Sequence, residues 1–271
     1  MDVFAPKYYK NFKCIAGDCK HNCCIGWEID IDSESLEYYK TDSEIIKNIC
    51  FGDTPHFILG KGERCPFLNK DNLCNIILKH GEQKLCQICK DHPRFVNEYN
   101  SREEIGLGLT CEAAVKLILD NDFSLEKVKT NEIFAMPDTD EEDFFEFRDG
   151  LFKKDVKELK PLLPKFTFDE LFTLFSGFER LDSSWDTLLG TLKGKNQRLC
   201  DLKIKDSTLA NRLFCYFLYR YLVAYGVEFC VFCTYFILAV DYDLYETARM
   251  FSSEIEYSDQ NVDKILEAIC G

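Results

Sequence analysis

Apolar residues recur at helical spacing through the second half of the chain. Leu209, Leu213, Phe217 and Tyr221 repeat every four residues. Thr167-Phe-Asp-Glu170 matches a capping box, and Leu171, Phe172, Phe175 and Phe178 follow it at helical spacing. Val262, Ile265, Leu266 and Ile269 mark a final amphipathic helix. Nearer the start, Thr41-Asp-Ser-Glu44 reads as another capping box, ahead of Ile45, Ile46 and Ile49 on one face. A further helix is expected to begin near Thr110, with Ala113, Ala114, Leu117 and Ile118 apolar. Phe51-Gly-Asp-Thr-Pro55 and Leu59-Gly-Lys-Gly62 are loop signals. No strand alternation of comparable length is visible, nor is an internal repeat or a low-complexity tract. The pattern predicts a mostly α fold, in which an irregular cysteine-rich, metal-binding N-terminal region packs on a C-terminal helical bundle. The expected division is a cysteine-rich region at 1–120 and a helical region at 150–271. Residues 137–149 carry seven acids and one base, and read as a solvated linker or helix face.

Composition narrows the classes. With 46% hydrophobic and 14% aromatic residues the chain can bury a core, so it is not disordered throughout. Lys and Arg number 33 against 47 Asp and Glu, a formal net charge of −14. That argues against broad binding to nucleic acid or an anionic membrane, which needs a basic footprint. The longest uncharged run, Phe229 to Val240, has 12 residues between Glu228 and Asp241. A bilayer span needs about 18–20, so a buried helix is the expectation. The first residues show no secretory signal. A cytoplasmic protein with reduced thiols is therefore expected.

Candidate chemistry lies in the thiols. Ten of the fifteen cysteines fall in residues 1–111: Cys14, Cys19, Cys23, Cys24, Cys50, Cys65, Cys74, Cys86, Cys89 and Cys111. In a reducing compartment such density points to metal binding or catalysis, and the odd total fits a fully paired disulfide scaffold poorly. Thiolates are soft ligands that suit iron–sulfur clusters or zinc, and both usually take about four. Cys86 and Cys89 would share a face on a helical turn. His92 precedes a proline, so it should be extended and end that helix. Neighbouring side chains in an extended segment point to opposite sides, so Cys23 and Cys24 are not expected to be equivalent ligands of one site. Cys50 reads as structural. Cys200, Cys215, Cys230, Cys233 and Cys270 read as packing thiols.

These residues resemble the flagellin lysine-N-methylase family. The matching pieces are Pro6-Lys-Tyr-Tyr9, Phe12-Lys-Cys14-Ile15, Cys19-x3-Cys23-Cys24-Ile-Gly-Trp27 and Asp30-Ile-Asp32. Then come Arg64-Cys-Pro-Phe-Leu68, Leu73-Cys74-Asn-Ile76, Gly81-Glu82, Leu85-Cys86, Cys89, His92-Pro-Arg94 and Leu109-Thr-Cys111-Glu-Ala-Ala114. A wider similarity is to small cysteine-cluster proteins described as zinc- or iron-chelating. The resemblance implies a cytoplasmic methyltransferase that modifies surface lysines of flagellin or a similar protein substrate. It implies an iron–sulfur cluster of the 4Fe-4S type, with zinc as the alternative, and S-adenosylmethionine as methyl donor. By position it implies Cys14, Cys19, Cys23, Cys24, Cys65, Cys74, Cys86, Cys89 and Cys111 as metal ligands.

Lysine methylation sets its own demands. A lysine amine titrates near pH ~10.4, so it must be neutralised and placed in line with the donor methyl. Tyr8, Tyr9, Glu28, Asp30 and Asp32 lie near the cysteine motifs, and Trp27 could stack on a cation, but the sequence ranks none of them. No glycine-rich dinucleotide-type loop follows a strand, Gly106-Leu-Gly108 being too short a match. No Cys-x3-Cys-x2-Cys run of the radical-enzyme type is present. Two alternatives stand beside the enzyme: a non-catalytic zinc- or cluster-binding module whose metal serves folding, and a cluster-based redox protein.

Overall fold

The computed structural model describes residues 1–130 and 139–270. They form two compact units. One comprises Met1–Phe12, Val96–Thr110 and the chain from Ala114 onward; the other comprises Lys13–Phe95 with Cys111–Ala113. Residues 1–12 and 96–110, within the expected cysteine-rich region, thus belong to the first unit. The strands, in chain order, are β1 (Asp2–Pro6), β2 (Ile49–Cys50), β3 (His56–Phe57), β4 (Arg94–Glu98), β5 (Arg102–Leu107) and β6 (Leu125–Thr130).

The first unit is mostly helical, as the periodicity predicts, but it also holds a sheet of order β4-β5-β1-β6 that the pattern did not reveal. β1 pairs parallel with β5, Phe4 opposite Glu104, and antiparallel with β6, Phe4 opposite Lys127. The reason for the miss is chemical. β5 opens Arg-Glu-Glu, which looks solvated, yet Glu104 is fully buried. Arg148, also fully buried, holds it through two parallel bonds of 2.7 and 2.8 Å, and Arg102 adds a third at 2.6 Å. The rings of Phe144, Phe145, Phe152 and Tyr219 lie within 5.7 Å of the Arg148 guanidinium. A charge buried among rings survives only with such pairing.

Arg148 sits on the helix Thr139–Phe152, which accounts for most of the acidic stretch; Pro137 and Asp138 lie outside the described residues. Asp140, Glu142, Asp143, Glu146 and Asp149 are exposed, the solvated face expected. Glu141 instead turns inward and accepts the amides of Asn100 and Ser101 at 2.6 and 3.1 Å, closing the β4–β5 turn.

The Thr167 capping box forms in full and starts the helix Phe168–Ser176. Its Phe175 ring stacks on Phe236 at 3.9 Å, beside the fully buried Trp185. Phe236 belongs to the longest helix, Ser207–Ala239, broken at Gly226, whose φ of 79° favours a residue without Cβ. By length and composition this helix could cross a bilayer, but 61% of its most apolar stretch is buried inside the unit. Phe229–Ile237 is buried, as expected of a core helix. The final helix, Asp259–Cys270, buries Val262 and Ile265.

The second unit is built from short pieces around Ile29, Ile31, Tyr39, Ile45, Phe57 and Phe67. One correction concerns the helix expected after Thr41. Asp42, not Thr41, is the cap, accepting from Glu44 and Ile45, and the helix Ser43–Ile46 ends before Ile49, which joins β2. A carboxylate one residue on reaches two amides at once, so it displaces the threonine as cap. The helix expected near Thr110 is Glu112–Asp120 and buries Ala114, Val115, Ile118 and Leu119.

Candidate thiol site

Two of the cysteines, Cys65 and Cys86, are part of the second unit's core, and Cys24, Cys74 and Cys89 pack against it. The backbone explains this convergence. Cys65 N–H donates to Cys24 O at 2.8 Å, tying the vicinal pair to the Arg64-Cys-Pro-Phe-Leu68 turn. Leu68, at the end of that turn, bridges to Cys74, which starts the helix Asn75–His80. Cys86 caps the helix Gln87–Asp91 and Cys89 lies one turn on, its amide donating to Cys86 O at 3.1 Å. His92 is extended and ends this helix, as the following proline predicts. It also meets Trp27 edge-to-face at 5.3 Å. Asp32 locks the arrangement: one oxygen caps the helix Ser33–Tyr39 through Ser35 N at 2.9 Å, the other takes Gln87 N at 2.7 Å. Burial opposes ionisation of Asp32, but the Ser35 and Gln87 amides outweigh it and hold the carboxyl below its ordinary range.

A second group forms around Glu112. Its Oε2 lies 3.7 Å from Cys19 Sγ and accepts Lys20 N at 2.8 Å. Cys111 and Cys23 are the further ionisable neighbours of Cys19. Cys23 and Cys24 lie in a turn, not in the extended segment for which opposed side chains were expected. Cys23 neighbours Cys19 and Cys24 neighbours Cys65 and Cys74, but the two thiols also touch by a hydrogen bond, which lowers Cys23 and, with burial, pushes Cys24 well up. The Cys86–Cys89 pair behaves alike: the hydrogen bond between them lowers Cys86 and raises Cys89. Burial pushes Cys65 and Cys19 up to about 11 each. Cys14 stands apart from both groups, exposed, with Ala16 N–H donating to its sulfur at 3.3 Å.

The donor set of the first group is sulfur throughout, which suits a soft metal or an iron–sulfur cluster. Among the described residues, however, no three His, Cys, Asp or Glu side chains are arranged to hold a metal ion, and no disulfide is formed. Cys23 and Cys24, and Cys86 and Cys89, are instead turned onto each other as hydrogen-bonded pairs. Elsewhere Cys215, Cys230 and Cys233 are buried packing thiols as expected, whereas Cys270 is exposed at the end of an amphipathic helix and packs into no core. Of the other residues singled out by sequence, Tyr8 and Tyr9 lie in the first unit, and Glu28, Asp30 and Trp27 in the second. Tyr8 is buried, while Glu28 is largely exposed 3.5 Å from His56. Sequence reasoning missed Glu112 and the double role of Asp32. The only signals were that Glu112 follows Cys111 and that Asp32 precedes Ser-Glu-Ser, a capping pattern.

A chain with one thiol-rich unit and one mostly helical unit is the class of molecule this geometry defines. Similar proteins give it a context. Over 135 residues the chain is 27% identical to lysine-N-methylases of Salmonella choleraesuis and Salmonella typhimurium, a match covering 45% of this chain and 33% of each relative. It is 26% identical to the flagellar biosynthetic protein FliU of Salmonella muenchen, over 45% of this chain and 79% of that one. These matches support a relationship to the flagellin lysine-N-methylase family. The match spans about a third of the lysine-N-methylases' length. No protein-family profile and no solved structure matches the chain.

Proposed function

We propose that this chain is a protein-lysine N-methyltransferase acting on flagellin or a similar lysine-bearing surface protein, with S-adenosylmethionine as donor and an iron–sulfur cluster in its thiol unit. The observation that carries the reading is the gathering of Cys24, Cys65, Cys74, Cys86 and Cys89 on one core, in a chain related to lysine-N-methylases. The ligands of a 4Fe-4S cluster would be drawn from those five, with Cys19, Cys23 and Cys111 beside Glu112 as a second thiol set. When bound, a cluster with an iron not held by cysteine supplies a seat for a donor molecule. The chain's own contribution is positional. Asp32 fixes the Cys86 turn against the helix before it, and the Cys24–Cys65 backbone bond fixes the vicinal pair. The acidic surface favours encounter with basic, lysine-bearing segments.

Core burial of Cys65 and Cys86 favours a second reading, in which metal serves folding alone. Anaerobic purification with iron, sulfide and zinc quantified together tests both. The transferase requires iron and sulfide, then transfer of labelled methyl to flagellin lysines. Zinc alone, without transfer, supports the folding module, and iron and sulfide without transfer supports a redox protein.

A further inference from the structure

In the helical unit one buried carboxylate is satisfied on one oxygen only. Glu256 ends the π-helical turn Ser252–Glu256, and its side chain is 1% exposed. Three donors converge on Oε2: the hydroxyls of Tyr216 and Tyr221 at 2.7 and 2.9 Å, and Arg220 Nη1 at 2.8 Å. Among the described residues Oε1 has no hydrogen-bond partner, and neither does Ser252 Oγ on the same turn. Buried acceptors without donors are rare and costly, so each calls for an explanation. π-helical turns are themselves uncommon and concentrate at functional sites.

The surroundings say what would satisfy Oε1. Arg220 already balances the charge of Glu256, and Arg220 also donates to Tyr216 at 2.7 Å. Burial pushes the Tyr216 and Tyr221 hydroxyls well up, so both remain neutral donors. Tyr221 stacks on Tyr225 at 5.5 Å, and Tyr225 meets Phe229 at 4.9 Å across the break at Gly226. A carboxylate oxygen with no donor suits a group that donates hydrogen bonds, and most strongly one that also carries positive charge. Exposed Tyr257 follows Glu256 directly, and Arg220 keeps 14% of its side chain in solvent, so the cluster lies close under the surface.

We propose that Oε1 of Glu256 is the acceptor for a primary ammonium or amine group, and that Glu256, Tyr216, Tyr221 and Arg220 form an amine-binding site in the helical unit. That the amine is the ε-amine of a lysine substrate rests on the transferase reading; the site itself does not.

The test uses the full-length chain, loaded as isolated, and n-butylammonium as probe, with n-butanol as the neutral match of equal length. Binding is followed by calorimetry and by nuclear magnetic resonance of the probe. The amine is expected to bind at least about tenfold more tightly than the alcohol. Glu256→Gln, which replaces an acceptor by an amide, is expected to weaken it on the order of tenfold to a hundredfold. Circular dichroism checks that the variant is folded. If it is not, a high-resolution structure of the wild type grown with the amine decides. Nitrogen within hydrogen-bonding distance of Oε1 supports the site, and only water there overturns it. Equal binding of amine and alcohol, or undiminished binding in Glu256→Gln, also overturns it. Failure of methyl transfer by the wild type would count against the transferase reading alone, because the amine assay needs no donor.

Discussion

Arg148→Met removes one partner of the buried pair under β5 while leaving an apolar chain among Phe144, Phe145 and Phe152. Deleting one member of a buried ion pair costs about 3–5 kcal/mol, because the other charge stays behind in a low-dielectric site. Glu104 would keep Arg102 at 2.6 Å, and Arg102 is 18% exposed, so the lower end applies, about 3 kcal/mol. At about 2–4 °C per kcal/mol for a unit of this size, the melting temperature should fall by about 6–12 °C. Adding Glu104→Leu should recover most of the loss, since the stranded charge goes too. The assay is urea and thermal unfolding of reduced protein followed by far-ultraviolet circular dichroism. A cost below about 1 kcal/mol for Arg148→Met would refute the claim that this pair permits a charged strand to lie in the sheet. So would a double variant no more stable than the single one.

Other predictions follow from the same structure. Cys65→Ser and Cys86→Ser should each lower the iron bound per chain, whereas Cys14→Ser, exposed and outside both thiol groups, should leave it near wild type by elemental analysis. Thr167→Ala should destabilise the helical unit by about 1 kcal/mol, read as a lower urea midpoint, because both halves of the capping box depend on that residue. Burial, with Arg94 nearby, lowers His92 to about 4, so the unfolded chain binds its proton first as pH falls. The resulting loss of stability should begin near pH ~6.5, saturate below about 4 and reach roughly 3 kcal/mol. His92→Gln should flatten that part of the acid-denaturation curve relative to wild type, and an unchanged curve would show that His92 titrates normally.

The helices that sequence made legible are those whose apolar stripe faces a core, such as Phe168–Ser176 and Asp259–Cys270. The sheet was hidden because its strands are short and because Glu104 reads as solvent-facing until Arg148, far along the chain, is known to meet it. The expected opposition of Cys23 and Cys24 assumed extended backbone, and the turn there lets their thiols meet, but the thiols as a set were visible from spacing. Their division into a core group and a group around Glu112 was not visible, since it depends on Cys111 folding back beside Cys19. The Glu256 cluster left only a run of tyrosines, Tyr216 to Tyr221, as its trace, because its acid comes from a different helix.

The position of β1 has a bearing on how the protein must be made. Both its neighbours, β5 and β6, lie beyond Lys13–Phe95 in the chain. During synthesis β1 therefore emerges before both its partners and waits, with both hydrogen-bonding edges open, until the whole stretch holding Cys14 to Cys89 has left the ribosome. Any premature cross-linking or aggregation of those sulfurs would delay the arrival of its partners and leave an unpaired edge available to other chains. Yield of the unit that contains β1 should therefore depend on reductant during expression, although the thiols concerned lie in the other unit.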